Sequence, residues 1–123
     1  MDNMLQLICH ANSPTKLVQS VACYSTLNED GQLWIRYHVD APVDGLVLSS
    51  NESTQRADDL WKTTCFEVFI LYGDGAEYIE FNFASSGQWA AYTFSDYRNK
   101  TGNLALANHP DIGIDFGEHV VVK

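Results

Sequence analysis

Two carboxylates, one amide and several aromatic rings recur at alternate positions in the middle of the chain. This is the first spacing in the sequence that could do chemistry. Residues Cys65–Tyr72, Glu77–Phe83 and Gln88–Phe94 read as a three-stranded meander, joined through Asp74-Gly75 and Ser85-Ser86-Gly87. Side chains at every second position of a strand share a face. Phe66, Val68, Ile70, Ile79, Phe81, Phe83, Ala90, Tyr92 and Phe94 are expected to line the core side. The other side carries Cys65, Glu67, Phe69 and Leu71, then Tyr78, Glu80 and Asn82, then Trp89, Ala91 and Thr93. Such a face has two explanations. It is a half-solvated sheet face, or it is a recognition surface. On a recognition surface, rings stack on a sugar or similar small ligand while acids and amides bond its hydroxyls. An aromatic flanking an acid and an amide on adjacent strands favours recognition.

Other chemistries need constellations that the chain supplies poorly. Glu67 and Glu80 as a carboxylate pair are the hardware of glycoside hydrolysis, but a cross-strand acidic pair is more often exposed or charge-balanced. Cys65 as a thiol nucleophile would take His10 or His38 as base, yet it sits among apolar strand residues, where cysteine serves as a small hydrophobe. His10, His38, His109 and His119 show no pair at ligand spacing, which argues against zinc. An acidic loop such as Asp58-Asp59 could take calcium; the usual explanation for such a pair is a solvated turn or helix cap. No Ser-His-Asp order, Walker loop or dinucleotide fingerprint is present. No cofactor is expected.

The elements that must position the acidic face are short and extended. Leu5–His10, Leu17–Leu27, Gln32–Val39 and Leu46–Ser50 precede the meander; Leu104–Ala107, Ile112–Phe116 and His119–Val122 follow it. In Gln32–Val39, Leu33, Ile35, Tyr37 and Val39 share one face. Asp30-Gly31, Asp44-Gly45 and Asp74-Gly75 read as hairpin turns, because glycine accepts positive φ. Asn51–Asp59 is the longest loop, and Asp58–Thr64 has room for a helical turn or two. Eight or nine short strands with glycine-rich turns predict an all-β, antiparallel β-sandwich of jelly-roll or immunoglobulin-like kind, in a single domain over 1–123.

Composition narrows the partners. Sixteen acidic against seven basic side chains give −9 at pH 7. That charge repels phosphate, so nucleic acid and anionic membranes are not expected partners. Three cysteines without a C-x-x-C suggest neither a disulfide framework nor a zinc knuckle. The N-terminus lacks the basic and apolar regions of a secretion signal, and no apolar run nears the roughly 18 residues of a membrane span. A cytoplasmic location is expected.

The stretch Arg56-Ala57-Asp58-Asp59-Leu60-Trp61-Lys62-Thr63-Thr64-Cys65-Phe66-Glu67-Val68-Phe69 resembles the signature of the DOMON-like proteins. These are bacterial β-sandwich proteins related to the family 9 carbohydrate-binding modules. A second matching block follows in order: Tyr78–Phe83, Ser86–Tyr92, then Phe94 and Tyr97-Arg98. The resemblance spans about forty residues, and Ser85 stands where the family often has proline. It implies a sugar held by Trp61, six residues before the strand glutamate Glu67, with Asn82 on the next strand. Trp89, Glu80 and Arg98 are further site candidates. Some relatives bind haem through Met and His; both methionines here lie within the first four residues, which disfavours haem. The family's chain normally runs on for further strands, whereas this one stops at Val120–Lys123. The expectation is an open, valine-rich edge that pairs two copies. Two functions follow: a non-catalytic module for a carbohydrate or other small polar ligand, or an assembly module that dimerises through its C-terminal edge.

Overall fold

A computed structural model describes residues 2–48, 52–116 and 120–122. Nine strands are seen among them, arranged in two antiparallel sheets, and the only helical pieces are two single 3-10 turns. The all-β antiparallel class predicted from strand spacing is the one the chain adopts. No helix among the described residues is long and apolar enough to cross a membrane.

The chain divides into two compact units. The first holds β1 (Asp2–Gln6), β2 (Ser20–Leu27), β3 (Leu33–Asp40), β8 (Ile114–Phe116) and β9 (Val120–Val122). Its sheet runs β1-β2-β3-β9-β8. The β2–β3 hairpin turns at Asn28–Gln32, where Gly31 takes φ +78° and Asn28 Oδ1 accepts from the Asp30 and Gln32 amides at 3.1 and 2.9 Å. The alternation predicted for β3 holds from Ile35 onward: Tyr37 and Val39 are buried while Trp34 and Arg36 are exposed, but Leu33, at the start of the strand, is exposed as well. Asp44-Gly45 does not turn a hairpin. It lies in a 3-10 turn, Val43–Gly45, in which the Gly45 amide donates to Pro42 O at 3.0 Å. Residues 46–48 form no strand, and the remainder of the strand predicted over Leu46–Ser50 lies outside the described residues. The valine-rich β9 is not an edge, because it pairs with β3 on one side and β8 on the other.

The second unit holds β4 (Cys65–Leu71), β5 (Tyr78–Ala84), β6 (Trp89–Asp96) and β7 (Asn99–Asn103), in that order across its sheet. β7 was not predicted, since Asn99–Asn103 has no apolar alternation; a strand expected at Leu104–Ala107 is absent. Loop length then decides which side chains share a face. The β4–β5 hairpin closes with the Tyr72 amide on Glu77 O, leaving four residues between the pair. The β5–β6 hairpin closes with the Ala84 amide on Gln88 O at 2.9 Å, leaving three. An even loop pairs odd positions with even ones, and an odd loop keeps parity. The predicted grouping of side chains is therefore right for β4 and β5 but reversed for β6, and a buried cluster stands on the Glu67 side, which alternation alone assigns as the non-core face. Ala90, Tyr92 and Phe94 stand on the Glu67 face, and Trp89, Ala91 and Thr93 stand with Phe81 and Phe83.

Candidate functional site

The Glu67 face is built by a crossing segment as well as by the sheet. Residues 53–57 run beside the start of β6: the Ser53 amide donates to Ser86 O at 3.1 Å and the Ala57 amide to Trp89 O at 2.9 Å. The approach is tight at the β5–β6 turn, where Gly87 has φ +96° and a Cβ would stand 2.7 Å from Ser53 O. The chain then passes over the face to reach β4. Leu60 is buried there with Ala84, Ala90, Tyr92 and Phe94, and Ala57, Cys65 and Tyr78 pack around them. The predicted helical turn is a single 3-10 turn, Leu60–Lys62, set against β4 and β5.

Three candidate residues come together. Glu67 is the direct cross-strand partner of Asn82, and Glu80 is the partner of Phe69, so Glu67, Asn82 and Glu80 share one patch. Asn82 is only 6% exposed, and its Oδ1 is buried without a hydrogen-bond partner. Burial, then the charge of Glu80, push the Glu67 carboxyl above its ordinary range. Trp61, on the 3-10 turn against these strands, is 67% exposed, with the Lys62 ammonium 5.8 Å from its ring centre. Phe69 is also exposed.

The other candidates go elsewhere. Trp89 is 8% exposed on the opposite face, and its indole Nε1 donates to Thr54 O at 3.0 Å, a bond that fixes the crossing segment. Its place in the site is corrected by the three-residue β5–β6 loop. Arg98 occupies the β6–β7 turn with φ +64°; its amide donates to Tyr78 Oη at 3.1 Å and its guanidinium lies over Tyr97. That turn is at the far end of β5 from Asn82.

Sequence reasoning missed a second cluster on the β6–β7 side of the same face. The Tyr92 hydroxyl donates to Asp58 Oδ1 at 2.6 Å; Arg56 Nη2 donates to the same oxygen at 3.0 Å and to Asn103 Oδ1 at 2.8 Å. Lys100 Nζ stands 3.8 Å from the centre of the Tyr92 ring. The Tyr92 bond first, then Arg56, hold the Asp58 carboxyl below its usual range. Burial, with Asp58 opposing ionisation, pushes Tyr92 up to about 12. Only the closeness of Arg56 and Asp58 in sequence hints at this cluster, because alternation without the loop parity puts Tyr92 on the opposite face. Arg56 Nε is buried without a partner. The Asp58-Asp59 pair is engaged, Asp58 with Arg56 and Asp59 with Lys62 at 3.8 Å. Cys65 is held protonated: burial, then Glu67, push its thiol up to about 11, so little thiolate exists at neutral pH.

The face thus offers acceptors and exposed rings on its β4–β5 side, and a bonded charge cluster on its β6–β7 side. Comparison with protein-family models, characterised proteins and solved structures returned no match.

Proposed function

We propose that the Glu67 face is a non-catalytic binding surface for a carbohydrate or other polyol-bearing ligand, as the DOMON-like resemblance implies. One observation carries the reading: Asn82 presents a buried oxygen without a partner directly across from Glu67. A buried polar atom in that state costs free energy and calls for a reason to be kept; a hydrogen bond from a bound ligand would be one. Trp61 and Phe69 are the exposed rings that would stack on a sugar. Titrating mono- and disaccharides while following tryptophan fluorescence tests this. Saturable quenching should weaken by about tenfold or more in Trp61→Ala, the size of loss typical of an aromatic anchor. Because Trp61 is largely exposed, that variant should fold normally. No response to any saccharide overturns the reading.

A second reading is self-association through a strand edge, and it now points away from β9. The outer strand β1 and the residues after it expose Met4, Leu5, Leu7 and Ile8. Unpaired apolar edges favour pairing. A dimer by light scattering that dissociates in Leu5→Lys supports this reading; a monomer at every concentration removes it.

A further inference from the structure

Alternation along β1 gives an edge strand the make-up of an inner one. Met4 lies across from Tyr24 and Leu5 across from Cys23, so Met4 and Leu5 stand on opposite faces of the sheet. Continued alternation puts Gln6 and Ile8 with Met4, and Leu7 with Leu5. All four apolar side chains are exposed, from 45% for Leu7 to 93% for Ile8. A strand with one side in water alternates apolar with polar, whereas one apolar on both sides fits the interior of a sheet. Yet β1 stands at the end of the order β1-β2-β3-β9-β8, and among the described residues no strand pairs with its other side. The usual guards of an edge are missing as well. From Asn3 to Ile8 there is no proline, lysine or other charged residue.

The backbone shows which groups are left over. The Leu7 amide donates to Val21 O at 2.8 Å, so Leu7 turns its backbone groups toward β2. In an antiparallel ladder that role falls to alternate residues. Met4, Gln6 and, by continuation, Ile8 therefore turn theirs to the open side. The order of side chains identifies the occupant. Met4-Leu5-Gln6-Leu7-Ile8 reads apolar, apolar, polar, apolar, apolar in both directions. Such a segment is complementary to itself when it runs antiparallel about Gln6, as an isologous two-fold contact requires. Met4 then faces Ile8 of the second copy, Leu5 faces its Leu7, and Gln6 faces its Gln6. Centring on Met4 or Leu5 instead would set Leu5 or Leu7 against Asn3. Charge agrees with this occupant. The chain carries −9 overall, but Asn3 to Thr15 holds no Asp, Glu, Lys or Arg, so two copies meet there without opposing carboxylates.

We infer that two copies of this chain join antiparallel along β1, with Gln6 at the two-fold axis, merging their five-stranded sheets into one. The inference rests on the self-association reading above and fixes its partner and register.

Sedimentation of the full chain across a concentration series, combined with cysteine cross-linking, tests both levels. Met4→Cys, Gln6→Cys and Ile8→Cys are made separately in a Cys9→Ser background, because Cys9 is exposed, and are oxidised with copper phenanthroline. Directly opposed residues that exchange hydrogen bonds have Cα atoms about 5.5 Å apart, within disulfide reach. Met4 and Ile8 would each be four residues out of step with their own copies, about 14 Å along the strand and beyond that reach. Gln6→Cys alone should therefore give a covalent dimer, seen as a doubling of mass under denaturing conditions. A chain that dimerises but links through Met4→Cys or Ile8→Cys, or through none of the three, overturns the register and leaves self-association standing. A monomer at every concentration overturns both.

Discussion

On the β6–β7 side of the Glu67 face, unlike charges meet: Arg56, Asp58, Tyr92 and Asn103 share three hydrogen bonds of 2.6 to 3.0 Å. On the β4–β5 side, like charges meet: Glu67 and Glu80 flank an amide whose buried oxygen has no partner. The two clusters use similar residue types on one sheet. Their difference lies in the sign of the charges that meet. The first ties residues 56–58 to β6 and β7 and so holds the crossing segment. The second leaves the Asn82 oxygen buried without a partner, and that atom is the one on which the proposed binding surface rests.

The comparison breaks most sharply at the apolar anchor beneath both clusters. Leu60 is buried among Ala84, Ala90, Tyr92 and Phe94. Leu60→Ala should cost about 2–5 kcal/mol, read as a fall in the denaturant midpoint, with loss of ligand response because Trp61 is no longer held against β4 and β5. If the midpoint is unchanged, the crossing segment is not anchored as described.

Next comes the brace. Tyr92→Phe removes the hydroxyl that holds the Asp58 carboxyl low. That carboxyl favours the folded state when charged, so its contribution is present above the ordinary carboxylate range and is lost as pH falls through the depressed value. The variant should be less stable at neutral pH and should show a flatter acid limb in a pH series of thermal midpoints. An unchanged acid limb would place the stabilisation elsewhere.

The opposite sign is expected on the β4–β5 side. Asn82→Leu removes the acceptor without a partner at nearly constant volume and should raise stability by about 1 kcal/mol, measured by urea unfolding, while ligand binding is lost. A large destabilisation would make Asn82 a structural residue. The smallest effect is Glu67→Gln. The Glu67 carboxyl is raised in the folded state, so ionising it opposes folding. That penalty is absent below the ordinary glutamate range and grows as pH rises through the raised value. The variant should therefore match the wild type in acid and gain slightly above that window. A gain in acid alone would reverse the assignment.

Much of the candidate site was legible along single strands. Period-two alternation grouped Glu67 with Phe69, and Glu80 with Asn82, and the four-residue β4–β5 loop kept that grouping true across the hairpin. Trp89 was misplaced because Ser85-Ser86-Gly87 announces a turn without stating how many residues lie outside the ladder. One residue of parity moved Tyr92 and Trp89 to opposite faces. β7 was missed because its polar sequence gains strand character only from pairing with β6. The open terminal edge failed for a related reason. Val120–Val122 reads as a last strand in sequence order, but order in a sheet is set by pairing, and β9 enters between β3 and β8.

By itself, then, the sequence determined the extended class of the chain, most of its strands, its acidic charge and the grouping of acidic, amide and aromatic side chains along each strand of the β4–β5 hairpin. These are local properties, fixed by alternation, turn chemistry and composition. Tertiary structure alone decided which of those residues meet. Register, loop parity and the path of residues 53–62 over the sheet brought Glu67, Asn82 and Glu80 into one patch and sent Trp89 and Arg98 away from it. Such choices depend on contacts between residues far apart in the chain, and no window of sequence contains both partners.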